Sequence, residues 1–374
     1  MDSGLEQLRL QLDSIDTQIL DLLARRRDTV DAVTRTKIKE RIPVYVANRE
    51  QDKVNRFREA AMVRGLDTEW AEDFLRMIMS ASRANQSLSS FPSATKLPKT
   101  LVIVGGNGGM GRLYRQMAER SGHSVRSLEK EDWVRAKTIL KGADAILISV
   151  PIHTTEDVII KIAPLLESHQ ILADFTSLKV AYLDLMLQHH AGPVLGLHPM
   201  HGPDVPNLSK QLMVVCEGRK ADQADWLIQQ FALWGMRIRK SDPELHDRAM
   251  HLVQGLRHFV ALLHASFMNR HDLKPEDMLD FSSPIYRAEL MMTGRIFAQD
   301  ARLYADIVFS DEERLTLLQD FLQHHSDMAE MVISGDKDAF VREFEEASHF
   351  FGPFAEQALQ ESGYLINRLA DRFG

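Results

Sequence analysis

Over the first 84 or so residues, apolar positions recur every three or four places with no strand-like alternation, so this stretch reads as helix throughout. In its first helix Leu5, Leu8, Leu12, Ile15, Ile19, Leu22, Val30 and Val33 draw one apolar stripe. From Leu101 the pattern changes to short β-branched runs (LVIV, SVRSL, DAILISV, ILADF, VLGLH and LMVVC) alternating with helical segments, which predicts a parallel sheet with helices on its faces. After about residue 221 the strand signal fades. Long amphipathic segments, HDRAMHLVQGLRHFVALLHASFM and PIYRAELMMTGRIFAQDARLYADIVF among them, predict a helical C-terminal portion. Between the first two regions lies NQSLSSFPSATKLPKT, with the Ser/Pro/Thr-rich composition of a linker. The expected domains are therefore 1–90, all-α; 99–220, α/β; and 221–374, all-α.

Composition narrows this reading. A chain of 374 residues, 44% apolar and 26% charged, has room for two or three domains with cores of their own. No apolar run approaches the roughly 20 residues of a membrane span. The start, MDSGLEQLRLQLDSID, carries acids where a secretory signal would be basic, so a cytoplasmic location is expected. The single cysteine, Cys216, excludes an internal disulfide and agrees with a reducing compartment. A net charge of −8 leaves no footprint for nucleic acid, so anionic substrates must be gripped by local arginines and lysines.

Such residues stand in unexpected places. Continuing the steps of the first stripe lands on Arg26 and Lys37, 11 residues or about 16 Å apart along a helix. A cation on an apolar face is costly unless an anion meets it, which suggests a pocket between helices for a negatively charged ligand. The alternative is that these long chains snorkel to solvent. Arg49 follows a turn containing Pro43, and Ser82 and Gln86 share a helix face at i, i+4.

In LVIVGGNGGMGRLYRQMAERSG, Gly106, Gly108 and Gly111 fall in GxGxxG spacing after a strand and at the opening of a helix, the context of a Rossmann-type dinucleotide-binding domain. Glu129, ending the next strand, is placed to accept from an adenosine ribose hydroxyl and favours NAD over NADP, although Arg126 and Lys130 are close in sequence. Ser149, Val150 and Pro151 end a later strand and should line the nicotinamide side. His198 and His201 could be read as a metal pair, but Pro199 lies between them and no acid–histidine ligand spacing accompanies them, so no metal site is expected.

Residues 5–86 resemble the all-helical chorismate mutase family, through Arg9, Asp16, Arg26, Lys37, Pro43, Arg49 and Glu50, with Ser82 and Gln86 on the last helix. The resemblance implies rearrangement of chorismate to prephenate, with Arg9, Arg26 and Arg49 as carboxylate clamps and Lys37 and Gln86 donating to the ether oxygen as charge develops there. Glu50 and Ser82 join the substrate contacts. It also implies an intertwined homodimer in which Arg9 comes from the partner. Val46 departs from the pattern, since many relatives carry an acid there.

Residues 101–374 resemble prephenate dehydrogenases, through the glycine motif, DFTSLK, LGLHPMHGPD and SSPIYRAELMMTGRIF. This resemblance implies that His198 takes the proton of the ring hydroxyl while hydride leaves the same carbon for NAD, and that loss of carbon dioxide then gives 4-hydroxyphenylpyruvate. An imidazole, with an unperturbed pKa near 6.5, suits that role. Ser177 is implied to orient His198, with Lys179 close by, and His246, Arg287 and Arg295 to contact substrate; Ser283 as cap and Pro284 at the first position should start the helix that carries both arginines. Asp204 and Tyr304 are further pocket candidates, whereas His153, His251 and His258 read as core or surface histidines. Feedback inhibition by tyrosine is implied as well. Two rivals remain: a prephenate or arogenate dehydrogenase whose N-terminal helices are a non-catalytic dimerisation or regulatory module, and a nucleotide-binding ligand sensor.

Overall fold

The computed structural model describes residues 3–86 and 90–373, in two compact units that divide after Leu245. The first unit opens with three helices, α1 (Ser3–Glu40), α2 (Ala47–Val63) and α3 (Thr68–Gln86). At about 1.5 Å per residue α1 runs for about 57 Å, about twice the length of either neighbour. The shorter helices pack around Val54, Leu75 and Met79, and only the C-terminal part of α1 can lie against them. The apolar stripe is therefore not buried within this chain: Leu5, Leu8, Leu12, Ile15 and Leu22 are each more than half exposed.

The sheet follows, with β1 (Thr100–Val104), α4 (Gly109–Arg120), β2 (Ser124–Leu128), α5 (Ala136–Leu140), β3 (Ala145–Ile148), α6 (Ile152–Ile162), β4 (Ile171–Asp174), α7 (Val180–His189), β5 (Val194–Pro199), β6 (Leu212–Glu217), α8 (Asp225–Leu233) and β7 (Arg237–Lys240). The strand order is β2-β1-β3-β4-β5-β6-β7. β3, β4 and β5 are buried along their whole length, because apolar cores cover both faces of the sheet.

Three features differ from the expectations. β6 runs antiparallel to β5, because residues 200–211 between them hold no helix to make the crossover that a parallel pair needs. The sheet also continues past residue 220 through α8 and β7, whose sequence RIRK is polar because it forms the exposed edge. Finally, the Ser/Pro/Thr-rich segment is pinned rather than loose where it is described. Phe91 is 4% exposed within the core and its N–H donates to Arg120 O at 2.9 Å. The buried Gln230 amide donates to Pro92 O and accepts from Ala94 N.

The second unit is helical: a π-helical turn at His251–Leu256 joins α9 (Pro243–Met250), whose N-terminal residues precede the division, to α10 (Arg257–Arg270). Then come α11 (Pro275–Asp280), α12 (Pro284–Phe297), α13 (Ala301–Val308), α14 (Glu312–Ser334), α15 (Lys337–Phe351) and α16 (Pro353–Phe373). Caps set the starts of several of these helices: Ser283 accepts from Tyr286 N ahead of Pro284 on α12, and Asp300, Asp311 and Asp336 cap α13, α14 and α15. Arg314 is fully buried against Gly255, where a Cβ would stand 2.6 Å from its Cδ. No helix among the described residues is long and apolar enough to cross a membrane.

Candidate active sites

Where α1 meets α2 and α3, a cleft of about 140 Å³ gathers Arg26, Lys37, Arg49, Glu50 and Ser82. The α1 steps that run down the stripe aim Arg26 and Lys37 inward. Arg26 Nη1 donates to Ser82 Oγ at 2.6 Å, and Ser82 donates back to Ile78 O of its own helix. Lys37 Nζ donates to Pro43 O at 3.1 Å and Val44 O at 2.8 Å, which ties α1 to the turn that starts α2.

Sequence reasoning missed two more cations in this cleft, Lys53 and Arg83. The signal for Lys53 was its i+4 spacing from Arg49 on α2. Arg83 donates to Glu50 Oε2 at 2.6 Å, and Glu50 is the one acid among the described lining residues. Five cations here face one acid, and two of them register the crowding: burial, then Arg49, lowers the Lys37 pKa, and burial followed by Arg26 and Arg49 lowers that of Lys53. Two carboxylates from a ligand would relieve this excess. Val46 lines the cleft and precedes α2 without a side-chain cap. Arg9 lies on the exposed part of α1, outside the cleft, and the Gln86 side chain falls outside the described residues.

The glycine turn sits between β1 and α4, at the point where the strand order reverses. Gly105, outside the expected motif, takes φ +79°, and a Cβ there would stand 2.4 Å from Ser149 O. A Cβ on Gly106 would meet Ser127 Oγ at 2.3 Å, and one on Gly111 would meet Gly105 O at 2.3 Å, so neither position admits a side chain. Gly108 is the N-cap of α4, leaving the helix N-terminus bare for a pyrophosphate. Glu129 leaves β2 beside the turn and accepts from Asn107 N at 2.9 Å. Arg126 points elsewhere, donating to Ile139 O and Lys141 O. Ser149, Val150 and Pro151 leave β3 alongside: Ser149 N donates to Val104 O at 2.9 Å. The turn thus has the shape, helix terminus and acid that an NAD pyrophosphate and ribose require.

At the C-terminal edge of the same sheet, His198 lies in β5 and is 4% exposed, while Ser177 follows the adjacent β4 and is 7% exposed. Ser177 Oγ is buried and has no hydrogen-bond partner among the described residues. The fully buried Lys179 ammonium donates to Asp174 Oδ2 at 2.5 Å and to Leu197 O at 2.9 Å, and so locks β4 to the residue before His198. Asp174 also accepts from Thr176 N and Thr176 Oγ1. Removing either member of this pair would strand a buried charge, at about 3–5 kcal/mol. His201 lies against Tyr114 Oη at 3.1 Å and Gly202 O at 2.9 Å, and burial lowers its pKa, which favours the neutral ring. Asp204 is exposed on the loop that follows.

On the second unit, His246 is buried on α9 with Nδ1 2.7 Å from Asp247 Oδ1, a contact that orients the ring. Arg287 is half-buried on α12, and Arg295, two turns on, is exposed. Tyr304 stands edge-on to His258 at 4.8 Å, and burial with Arg257 and Arg314 pushes the His258 pKa down to about 4. His251 lies 3.1 Å from Asp311, and His153 is exposed on α6.

Comparison with known proteins agrees with this arrangement. Residues 8–87 match the family described as chorismate mutase type II, residues 119–237 the prephenate dehydrogenase nucleotide-binding domain, and residues 242–346 the prephenate dehydrogenase dimerization domain. The T-protein of Enterobacter agglomerans is 40% identical over 371 residues, 99% of each chain. That of Haemophilus influenzae is 36% identical over 368 residues, 98% of each. The crystal structure of Aquifex aeolicus prephenate dehydrogenase with hydroxyphenyl propionate and NAD+ shares the fold, with a TM-score of 0.56 at 18% identity, covering 68% of this chain and 98% of that one. With a cation cleft at one end, a glycine turn and strand-borne histidine at the centre, and relatives that match it end to end, the chain belongs to the T-protein family of joined chorismate mutases and prephenate dehydrogenases.

Proposed function

We infer that the chain makes prephenate from chorismate in the α1–α3 cleft and oxidises prephenate at the sheet edge to 4-hydroxyphenylpyruvate and carbon dioxide, as an enzyme of tyrosine biosynthesis. One observation carries this reading: a single chain holds both a cleft of five cations against one acid and a glycine turn with a buried histidine at the neighbouring strand ends.

The rearrangement moves no proton, so the cleft needs charges and shape alone. Arg26 and Arg49 hold the two carboxylates in the reactive conformer, Ser82 fixes Arg26, and Glu50 faces the substrate hydroxyl. Lys37 and Gln86 donate to the ether oxygen, where negative charge grows as the carbon–oxygen bond breaks. Because Val46 has no acid to offer, any contact at that position falls to the backbone.

For the oxidation, Gly106, Gly108, Gly111, Glu129, Ser149, Val150 and Pro151 hold NAD, which when bound supplies a hydride acceptor. The His198 imidazole takes the proton of the ring hydroxyl and Ser177 Oγ orients that pair. The electrons of the breaking carbon–carboxylate bond aromatise the ring. On the second unit His246, Arg287 and Arg295 are assigned to substrate binding. Lys179 is assigned to holding His198 in place.

The chain acts as a homodimer in the cytoplasm: the uncovered α1 stripe and the dimerization-domain match support a second copy, whose Arg9 would complete the cleft. Tyrosine is the expected feedback inhibitor. The test supplies purified protein with NAD and either chorismate or prephenate and follows NADH. NADH from both substrates is the expected result. NADH from prephenate alone would reduce the N-terminal helices to a structural or regulatory module, and no NADH from either would reject the substrate assignment.

A further inference from the structure

The nucleotide-binding domain reaches into the mutase cleft. Lys210, at the end of the loop between β5 and β6, places its Nζ against Glu50 Oε1. The same ammonium lies 5.0 Å from the centre of the Tyr45 ring, and both Tyr45 and Glu50 line the cleft. Lys210 has φ +68°, a left-handed conformation uncommon outside glycine, which persists where surroundings over-determine it. Here its N–H donates to Gly235 O at 2.8 Å. Gly235 itself has φ +88°, and a Cβ on it would stand 3.2 Å from Tyr45 Cβ, so the two domains meet at close backbone range. Val44 N, in the turn whose carbonyl holds Lys37, donates to Leu233 O across the same junction.

We propose that Lys210 is a positioning residue for the mutase reaction, holding Glu50 against the far wall of the cleft from the neighbouring domain. The Glu50 side chain is 12% exposed, with Arg83 on Oε2, Lys210 on Oε1, and Arg76 farther off at 3.9 Å from Oε1. A freely rotating carboxylate one turn before Lys53 on α2 would fold onto the cleft's cations and compete with an incoming dicarboxylate. With both oxygens tied back, the carboxylate stays off Arg26, Lys37, Arg49 and Lys53 and keeps a fixed direction toward the substrate hydroxyl. Lys53 already feels Glu50, whose charge partly offsets the lowering of its pKa.

This assignment rests on the reading of the cleft as the mutase site. The test uses the full chain with Lys210→Met, Lys210→Arg, Glu50→Gln and the Lys210→Met/Glu50→Gln double variant. Chorismate loss gives mutase kcat and KM, and prephenate-driven NADH is read on the same samples. Lys210→Met should lower mutase kcat/KM about tenfold, mainly through KM. Its prephenate-driven rate should stay within about twofold of wild type, and Lys210→Arg should recover most of the mutase loss. The double variant should be no worse than Glu50→Gln, since Lys210 acts through that carboxylate. Wild-type mutase constants in Lys210→Met, losses that multiply in the double variant, or equal loss of both activities would each overturn the assignment. A wild-type chain without mutase activity would instead reject the mutase reading itself, and this one with it.

Discussion

The two sites solve different problems with different materials. In the cleft, the working groups are long cationic chains on helix surfaces, some as exposed as Arg49, and they meet at an open pocket. At the sheet edge, His198 and Ser177 are each under a tenth exposed, one on β5 and the other just past the end of β4, and the buried Lys179–Asp174 pair ties the two together. A pericyclic step responds to the summed field of several charges, which fall off gently with distance and tolerate some play. A proton transfer needs its base within about 3 Å of one atom, so the base is locked into the least movable part of the fold. Precision of placement follows the range of the force that does the chemistry.

That contrast can be broken by variants that should each silence one half. His198→Asn is expected to cut prephenate-driven NADH formation by about 10³-fold or more while mutase turnover stays at wild type, because a positioned general base contributes up to about 10⁴. Lys37→Ala should lower mutase kcat/KM by about 10²–10³, the loss typical for one donor to a developing oxyanion, with prephenate oxidation intact. Steady-state rates with each substrate would show the crossing, and loss of both activities in either variant would end the picture of separate chemistry.

A smaller effect sharpens the comparison at the glycine turn. Gly111→Ala places a methyl 2.3 Å from Gly105 O, so KM for NAD should rise about tenfold or more while mutase kinetics do not change. Smallest in amplitude is the pH dependence of the mutase half. Burial and Arg49 lower the Lys37 pKa, so the ammonium that serves the ether oxygen is lost at a lower pH than for a free lysine, and mutase kcat/KM should fall on the alkaline side. A mutase pH–rate profile without that early alkaline limb would contradict the role of Lys37.

How much of this was legible in the sequence depends on whether the signal was local. The GxGxxG turn, the Ser283–Pro284 helix start and the inward step to Arg26 and Lys37 depend on neighbours a few residues away, and each appears where its spacing placed it. The Lys179–Asp174 pair and its tie to Leu197 are recognisable only once β4 and β5 are side by side. β7 hid because an edge strand with three cations around a single Ile238 lacks the apolar run that marks a central one. Arg83 and Lys210 gained meaning only through Glu50, which lies 33 and 160 residues from them along the chain. The reversal of β6 was readable in principle, since 12 residues without helical periodicity cannot cross over to a parallel neighbour.

The pinned segment at residues 90–94 changes what it means for these two enzymes to be fused. Had it been a loose tether, the halves would be interchangeable modules, and a gene cut anywhere within it would release either one whole. Instead Phe91 is a core residue of the nucleotide-binding domain, and the Gln230 amide is satisfied from the backbone of Pro92 and Ala94. A dehydrogenase that shed its mutase partner just after these residues would lose part of its own interior. Composition marks a joint where packing does not: Phe91, Pro92 and Ala94 belong to the nucleotide-binding domain although they lie inside the stretch that reads as a linker.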